Sequence, residues 1–142
     1  YIYLLQIETV MEDSNKFTMM IAEDENIIRM LLKAVARDVN FELVAEVENG
    51  LEAIEAFKKL KPNITLMDIS MPKITGLEAL ETIRETNPDA CIIMLTSMAD
   101  MNSISKAIEL GAANYILKDT PIEEIEQMIL ETWNEHCLPP EE

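Results

Sequence analysis

The 142-residue chain is long enough for one folded domain with a substantial hydrophobic core. With 49% hydrophobic residues, three glycines and six prolines, its composition excludes collagen-like and disordered classes. Its 27 acidic residues against 11 Lys and Arg give a formal net charge of −16. This charge argues against direct binding to nucleic acid or to an anionic membrane, because both depend on Lys and Arg.

From residue 17 onward, short apolar runs alternate with stretches of helical period, and each pair predicts a strand followed by a helix. The predicted strands are 17–22, 41–47, 64–67, 91–95 and 113–117. Continuous apolar strands that alternate with amphipathic helices predict a parallel sheet covered on both faces. We therefore expect a doubly wound, flavodoxin-like α/β fold with a five-stranded parallel sheet and five alternating β/α units.

The two ends of the chain fall outside this alternation. Residues 1–16, an apolar run followed by a polar spacer, are expected to be an N-terminal extension, a tag or an upstream remnant. The hypothesis for this segment is that its apolar side docks on a neighbouring chain. The predicted domain spans 17–136, and 137–142 form a C-terminal tail or the start of a linker.

The two cysteines, Cys91 and Cys137, are too few for a disulfide scaffold and lack the spacing of a zinc site. We therefore expect reduced thiols and a cytoplasmic location. No apolar stretch reaches the roughly 20 residues that cross a bilayer, and the N-terminus lacks the cationic region of a signal peptide. No membrane association is expected.

Polar residues follow the predicted strands at positions that the fold would bring to one edge. Glu23 and Asp24 follow the first strand, Asp68 the third, Thr96 the fourth and Lys118 the fifth. In such sheets, ligands bind outside the carboxyl ends of the strands. Three carboxylates at short range need a compensating cation, and oxygen ligands without Cys or His favour Mg²⁺.

This set of residues predicts phosphoryl chemistry. A carboxylate beside Mg²⁺ can attack phosphorus and form an aspartyl phosphate. Asp68 is the expected acceptor because it follows the third of five strands and has neighbours on both sides, and Glu23 and Asp24 would hold the metal. Lys118 would supply a positive charge and Thr96 a hydrogen bond to the phosphoryl oxygens.

Five short motifs lie in order along the chain: AEDE at 22–25, MDISMP at 67–72, Gly76, LTS at 95–97 and GAANYILK at 111–118. Together they resemble the receiver domain of bacterial two-component response regulators, of the chemotaxis-regulator type. The resemblance covers roughly residues 17–136. It implies a signalling switch in a phosphorelay rather than an enzyme with a separate substrate, although such a switch can catalyse its own phosphotransfer and dephosphorylation.

The resemblance also implies roles for the residues that match the motifs. Asp68 would take a phosphoryl group from a histidine kinase. The backbone carbonyl of Ser70 would join Glu23, Asp24 and Asp68 as a ligand of Mg²⁺.

Further implied roles concern the switch and its output. Thr96 and Lys118 would contact the phosphoryl group, and Tyr115 would turn inward when Thr96 moves toward it. The output surface would be the fourth helix, fifth strand and fifth helix, about 100–136, which would bind an output domain, a partner protein or a second copy of the chain.

The sequence departs from the family after the lysine, where a proline commonly follows directly. Here Asp119 and Thr120 stand before Pro121. The run Lys118, Asp119, Thr120 resembles the branch of receivers that carry a helix-turn-helix output domain.

Three alternatives to the signalling switch require different residues. A Mg²⁺-dependent phosphatase of the aspartyl-phosphate type needs a second acid two residues after the nucleophile, where this chain has Ser70. A degenerate receiver that acts without phosphorylation is disfavoured because the acids, Thr96 and Lys118 are intact. A nucleotide-binding protein is disfavoured because the chain has no glycine-rich phosphate loop.

Overall fold

Five parallel strands form one sheet in the computed structural model, which describes residues 17–137. The strands are β1 (Thr18–Ala22), β2 (Glu42–Val47), β3 (Ile64–Asp68), β4 (Ile92–Thr96) and β5 (Asn114–Leu117). Their order across the sheet is β2-β1-β3-β4-β5, and every neighbouring pair is parallel. The predicted doubly wound fold with five β/α units is confirmed.

Helices connect the strands and cover both faces of the sheet. They are α1 (Asn26–Asp38), α2 (Gly50–Leu60), α3 (Gly76–Thr86), α4 (Ile104–Glu109) and α5 (Ile122–Thr132). A 3₁₀ turn (Met98–Ser103) leads into α4, and a π-helical turn (Trp133–Cys137) extends α5.

Local sequence explains where two of these helices begin. The side chain of Asn49 accepts a hydrogen bond from the backbone N–H of Glu52, at 2.9 Å, and so caps α2. Thr75 and Glu78 form a reciprocal capping box at the start of α3. Such caps satisfy backbone N–H groups that the first turn of a helix leaves without partners.

The core has one layer on each face of the sheet. One layer packs α1 and α5 against the sheet, and the other packs α2, α3 and α4 against the opposite face. All residues of β3 and β4 are buried, which explains why these strands are continuously apolar except for Thr65, Asp68 and Thr96. Four strands begin one residue later than predicted. The apolar residue before each of them packs in the core layer of α1 and α5, so its sequence pattern is that of a strand residue although it precedes the paired segment.

The two cysteines form a disulfide bond, so the expectation of reduced thiols was wrong. The π-helical turn after α5 carries Cys137 back to the amino end of β4, where the buried Cys91 lies, and the two Cα atoms are 5.6 Å apart. The residues are separated by 46 positions. Only the folded arrangement brings them together, and the spacing of two cysteines in a sequence does not reveal it.

The hypothesis for residues 1–16 lies outside the described residues, as does that for 137–142 apart from Cys137, which ends the π-helical turn. The domain limits stay predictions. Within 17–137, no helix combines the length and the apolar character needed to cross a bilayer.

Candidate functional site

The predicted site residues meet at the carboxyl ends of the strands. Ala22 of β1 pairs with Met67 of β3, and Asp68 pairs with Leu95 of β4. Glu23 and Asp68 therefore leave adjacent central strands at the same level. Lys118 follows β5 directly, and its backbone N–H donates a hydrogen bond of 2.8 Å to the carbonyl oxygen of Thr96.

Three acids form a cluster at this edge. One carboxylate oxygen each from Glu23, Asp24 and Asp68 lie within 4.8 Å of one another. Glu23 and Asp68 are buried, and Asp24 is exposed. The ligand set is therefore a group of hard oxygen donors with one side open to solvent, which suits Mg²⁺.

Backbone groups fix two of the carboxylates. Oε2 of Glu23 accepts a hydrogen bond of 3.0 Å from the N–H of Glu25, and Oδ1 of Asp68 accepts one of 3.2 Å from the N–H of Ser70. Oε1 of Glu23 is fully buried and lies 2.9 Å from Nζ of Lys118, but it accepts no hydrogen bond of good geometry. A buried carboxylate oxygen that accepts no hydrogen bond has lone pairs free to bind a cation.

The ammonium group of Lys118 is the positive charge of the site. Its Nζ lies 2.9 Å from Oε1 of Glu23, 3.0 Å from Oδ2 of Asp68 and 3.1 Å from Oε1 of Glu25. Burial lowers the pKa of Lys118, but the contacts with the carboxylates of Glu23, Asp68 and Glu25 outweigh it and raise the pKa above its ordinary value. Lys118 is therefore fully charged at neutral pH.

Burial has the opposite consequence for Asp68. It raises the pKa of this carboxyl from 3.8 to about 7, although the hydrogen bond from Lys118 lowers it, and the charge of Glu23 adds to the increase. Lys118 and the N–H of Ser70 therefore do not fully offset the burial of Asp68 and the charge of Glu23. An additional cation would favour the ionised form.

Thr96 ends β4, the strand beside β3, and Tyr115 lies on the edge strand β5. Thr96 is fully buried at the end of β4, and its hydroxyl donates a hydrogen bond of 3.0 Å to the carbonyl oxygen of Ser97. Tyr115 is half-buried on β5 and packs against the core layer of α2, α3 and α4. Residues 17–137 contain no cis peptide bond, so the chain continues from Lys118 to Pro121 through trans bonds.

Gly76 allows the backbone after Asp68 to fold tightly. Its N–H donates a hydrogen bond of 2.8 Å to the carbonyl oxygen of Ile69. A Cβ atom at position 76 would lie only 1.8 Å from the carbonyl oxygen of Asp68, which is impossible without a shift of the backbone. The glycine in the sequence motif thus has a steric function beside the site.

The site contains one residue to which the sequence reasoning assigned no role. Glu25 is the last acid of the AEDE motif and precedes α1, and its carboxylate contacts Lys118. The available signal was its place in a run of three consecutive acids. Acids at a helix start are ordinarily explained by the helix dipole.

A groove in the described part of the chain lies away from the acids. It encloses about 880 Å³ near the ends of α2 and α3 and is lined by Arg84, Trp133 and the disulfide, among others. None of the clustered acids lines it. The chemistry of the strand ends, and not the size of this groove, identifies the functional site.

Comparisons with known proteins agree with this geometry. The family model of the response regulator receiver domain matches residues 19–130. The chemotaxis protein CheY of Listeria monocytogenes is 40% identical over 100 residues, which are 70% of this chain and 84% of that protein. The transcriptional regulatory protein YhcZ of Bacillus subtilis, described as uncharacterized, is 39% identical over 106 residues, 74% of this chain and 50% of that protein.

A solved structure shares both fold and sequence with the chain. It is a DNA-binding response regulator of the LuxR family from Staphylococcus aureus, with a TM-score of 0.76 and 32% identity. The alignment covers 82% of this chain and 98% of that one. With its five-stranded parallel sheet and the acids at the strand ends, the chain belongs to the response regulator receiver domains, the signalling domains of two-component systems.

Proposed function

We propose that Asp68 is the phosphoacceptor of this receiver domain and that its donor is a histidine kinase. The observation that carries this assignment is the contact of 3.0 Å between Oδ2 of Asp68 and Nζ of Lys118, inside a cluster with Glu23 and Asp24. Asp68 is the central acid of the cluster in the fold, since β3 has β1 on one side and β4 on the other.

Mg²⁺ is the proposed cofactor. Glu23, Asp24 and Asp68 would hold it through their carboxylates, and the backbone carbonyl of Ser70 would be a further ligand. The donor set of oxygens and the buried Oε1 of Glu23, which accepts no hydrogen bond, support this assignment. When bound, the ion would neutralise negative charge between the acids and the phosphoryl group.

The proposed transfer needs an ionised Asp68. One carboxylate oxygen attacks phosphorus and forms the new O–P bond, while the bond from phosphorus to the donor atom breaks and the donor keeps the electron pair. Lys118 stabilises the charge on the phosphoryl oxygens, and the hydroxyl of Thr96 would turn from Ser97 to donate a hydrogen bond to them. The same residues would let the domain catalyse its own phosphorylation from a small-molecule donor.

The response is proposed to travel along β4 and β5. Thr96 at the end of β4 and Tyr115 on β5 would move together, and the surface of α4, β5 and α5 would then bind its partner. An output domain, a separate protein or a second copy of the chain would be selected by this shift in population. The kinship with a transcriptional regulator and with a LuxR-family response regulator supports a helix-turn-helix output domain as the partner.

Phosphorylation by a small-molecule donor tests the assignment. The protein is incubated with Mg²⁺ and acetyl phosphate, and its mass is followed. We expect the addition of one phosphoryl group to the wild type and none to Asp68→Asn, which keeps the shape of the side chain. Equal labelling of both proteins would refute the assignment. Sizing with beryllofluoride would show whether the second copy is the partner.

A further inference from the structure

Three carboxylates share the ammonium group of Lys118, and one of them has no assigned role. Nζ lies 2.9 Å from Glu23, 3.0 Å from Asp68 and 3.1 Å from Glu25. Nζ donates hydrogen bonds to Asp68 and Glu25, and the carboxylate of Glu23 lies beside it as an ion-pair partner, so the three carboxylates surround the ammonium group closely. A phosphoryl oxygen that binds Lys118 therefore competes with these carboxylates for the same ammonium group.

Burial decides which carboxylate is displaced. The side chains of Glu23 and Asp68 are 0% and 3% exposed, whereas that of Glu25 is 61% exposed. A buried carboxylate that loses its cation keeps an uncompensated charge in the protein interior, where the dielectric constant is low, and this is strongly unfavourable. The carboxylate of Glu25 can be solvated by water when it leaves Lys118, so it is the partner that a phosphoryl oxygen displaces.

The position of Glu25 makes its contact with Lys118 unusual. It occupies the N-cap position of α1, but its side chain accepts no hydrogen bond from the N–H groups of that helix. Its own N–H is fixed by the hydrogen bond to Oε2 of Glu23. The backbone is thus tied to one acid of the site, and the carboxylate reaches across to the lysine instead of capping the helix.

We propose that Glu25 is a positioning residue that holds Lys118 before phosphorylation and competes with the phosphoryl group for it. The inference rests on the proposed role of Asp68. Breaking an exposed ion pair changes an equilibrium by about two- to five-fold. The wild type is therefore phosphorylated about two- to five-fold less readily than a variant that lacks the contact between Glu25 and Lys118.

The experiment compares Glu25→Gln with Glu55→Gln in the full chain. The control removes the same charge from an exposed residue of α2. Phosphorylation by acetyl phosphate with Mg²⁺ is followed by mass spectrometry, and the affinity for beryllofluoride is measured in parallel. We expect Glu25→Gln to gain about two- to five-fold in rate and affinity, and the control to match the wild type.

A third variant separates contact from charge. Glu25→Asp keeps the charge, but its shorter carboxylate can cap α1 and is drawn away from Lys118. We expect it to be faster than the wild type as well. A rate equal to the wild type would overturn the inference, because charge alone would then suffice.

Two other results separate this inference from the assignment of Asp68. Labelling that Asp68→Asn abolishes but Glu25→Gln leaves unchanged would overturn the role of Glu25 alone. A wild type that takes no label would overturn both.

Discussion

Reduction of the disulfide between Cys91 and Cys137 should destabilise the domain strongly. The bond closes a loop with a sequence separation of 46, which contains β4, α4, β5 and α5. The chain-entropy relation for a loop of this length gives about 4 kcal/mol at 25 °C. With a urea dependence of about 2 kcal/mol per M, the unfolding midpoint should fall by about 2 M.

The single tryptophan is a suitable probe for this measurement. Trp133 is buried at the end of α5, with its ring 4.8 Å from that of Phe17 and 5.6 Å from that of Phe41. Its fluorescence is followed during urea unfolding of protein purified without reductant, with and without dithiothreitol. Cys137→Ser is the control, since reductant should not change its midpoint.

Two results would refute this reasoning. One is the same midpoint for the wild type with and without reductant. The other is two free thiols in the native protein, detected by alkylation and mass spectrometry under non-reducing conditions.

Three further predictions concern single substitutions. Gly76→Ala should cost about 2 kcal/mol or more in urea unfolding and slow phosphorylation, because its Cβ would collide with the backbone of Asp68; an unchanged midpoint would contradict this. The raised pKa of Asp68 means that the wild type without Mg²⁺ loses stability as the pH rises from about 4 through about 7. Asp68→Asn should therefore be more stable at pH 8 by about 2 kcal/mol, half of the ~4 kcal/mol that the full difference from 3.8 implies, since the effective dielectric constant of a protein site weakens such electrostatic costs; equal unfolding midpoints at pH 8 would contradict it. Burial and the neighbouring Asp38 raise the pKa of Glu126. At pH 7, Glu126→Gln should therefore exceed the wild type in free energy of unfolding by about 0.5 kcal/mol or less, and at pH 4 the two proteins should unfold at the same urea midpoint.

The fold follows from patterns that the sequence displays directly. Strands buried on both faces must be apolar along their whole length, and helices that cover them must be apolar on one side. The runs at 64–67 and 91–95 show the first pattern, and Leu51, Ile54 and Phe57 show the second. These constraints act within a few residues, so a single sequence is sufficient to detect them.

The cluster of Glu23, Asp24, Asp68 and Lys118 could also be predicted, because the topology of a parallel sheet gathers strand ends. The disulfide could not, since the path of the last turn decides whether Cys137 reaches Cys91. The contact of Glu25 was missed for a related reason. Whether an acid at a helix start caps the helix or reaches another strand depends on the direction of its side chain.

The fifth strand lies at the edge of the sheet, with β4 as its single neighbour, and it is only four residues long. An element held on one side can slide by breaking one set of backbone hydrogen bonds, whereas the interior strands would have to break two. Lys118 directly follows this edge strand, whereas Glu23 and Asp68, two of the acids that contact it, lie at the ends of β1 and β3, which have neighbours on both sides. A change in the contacts of Lys118 would therefore displace β5 at the edge of the sheet more readily than the interior strands. A conformational change can then reach the surface while the core stays folded.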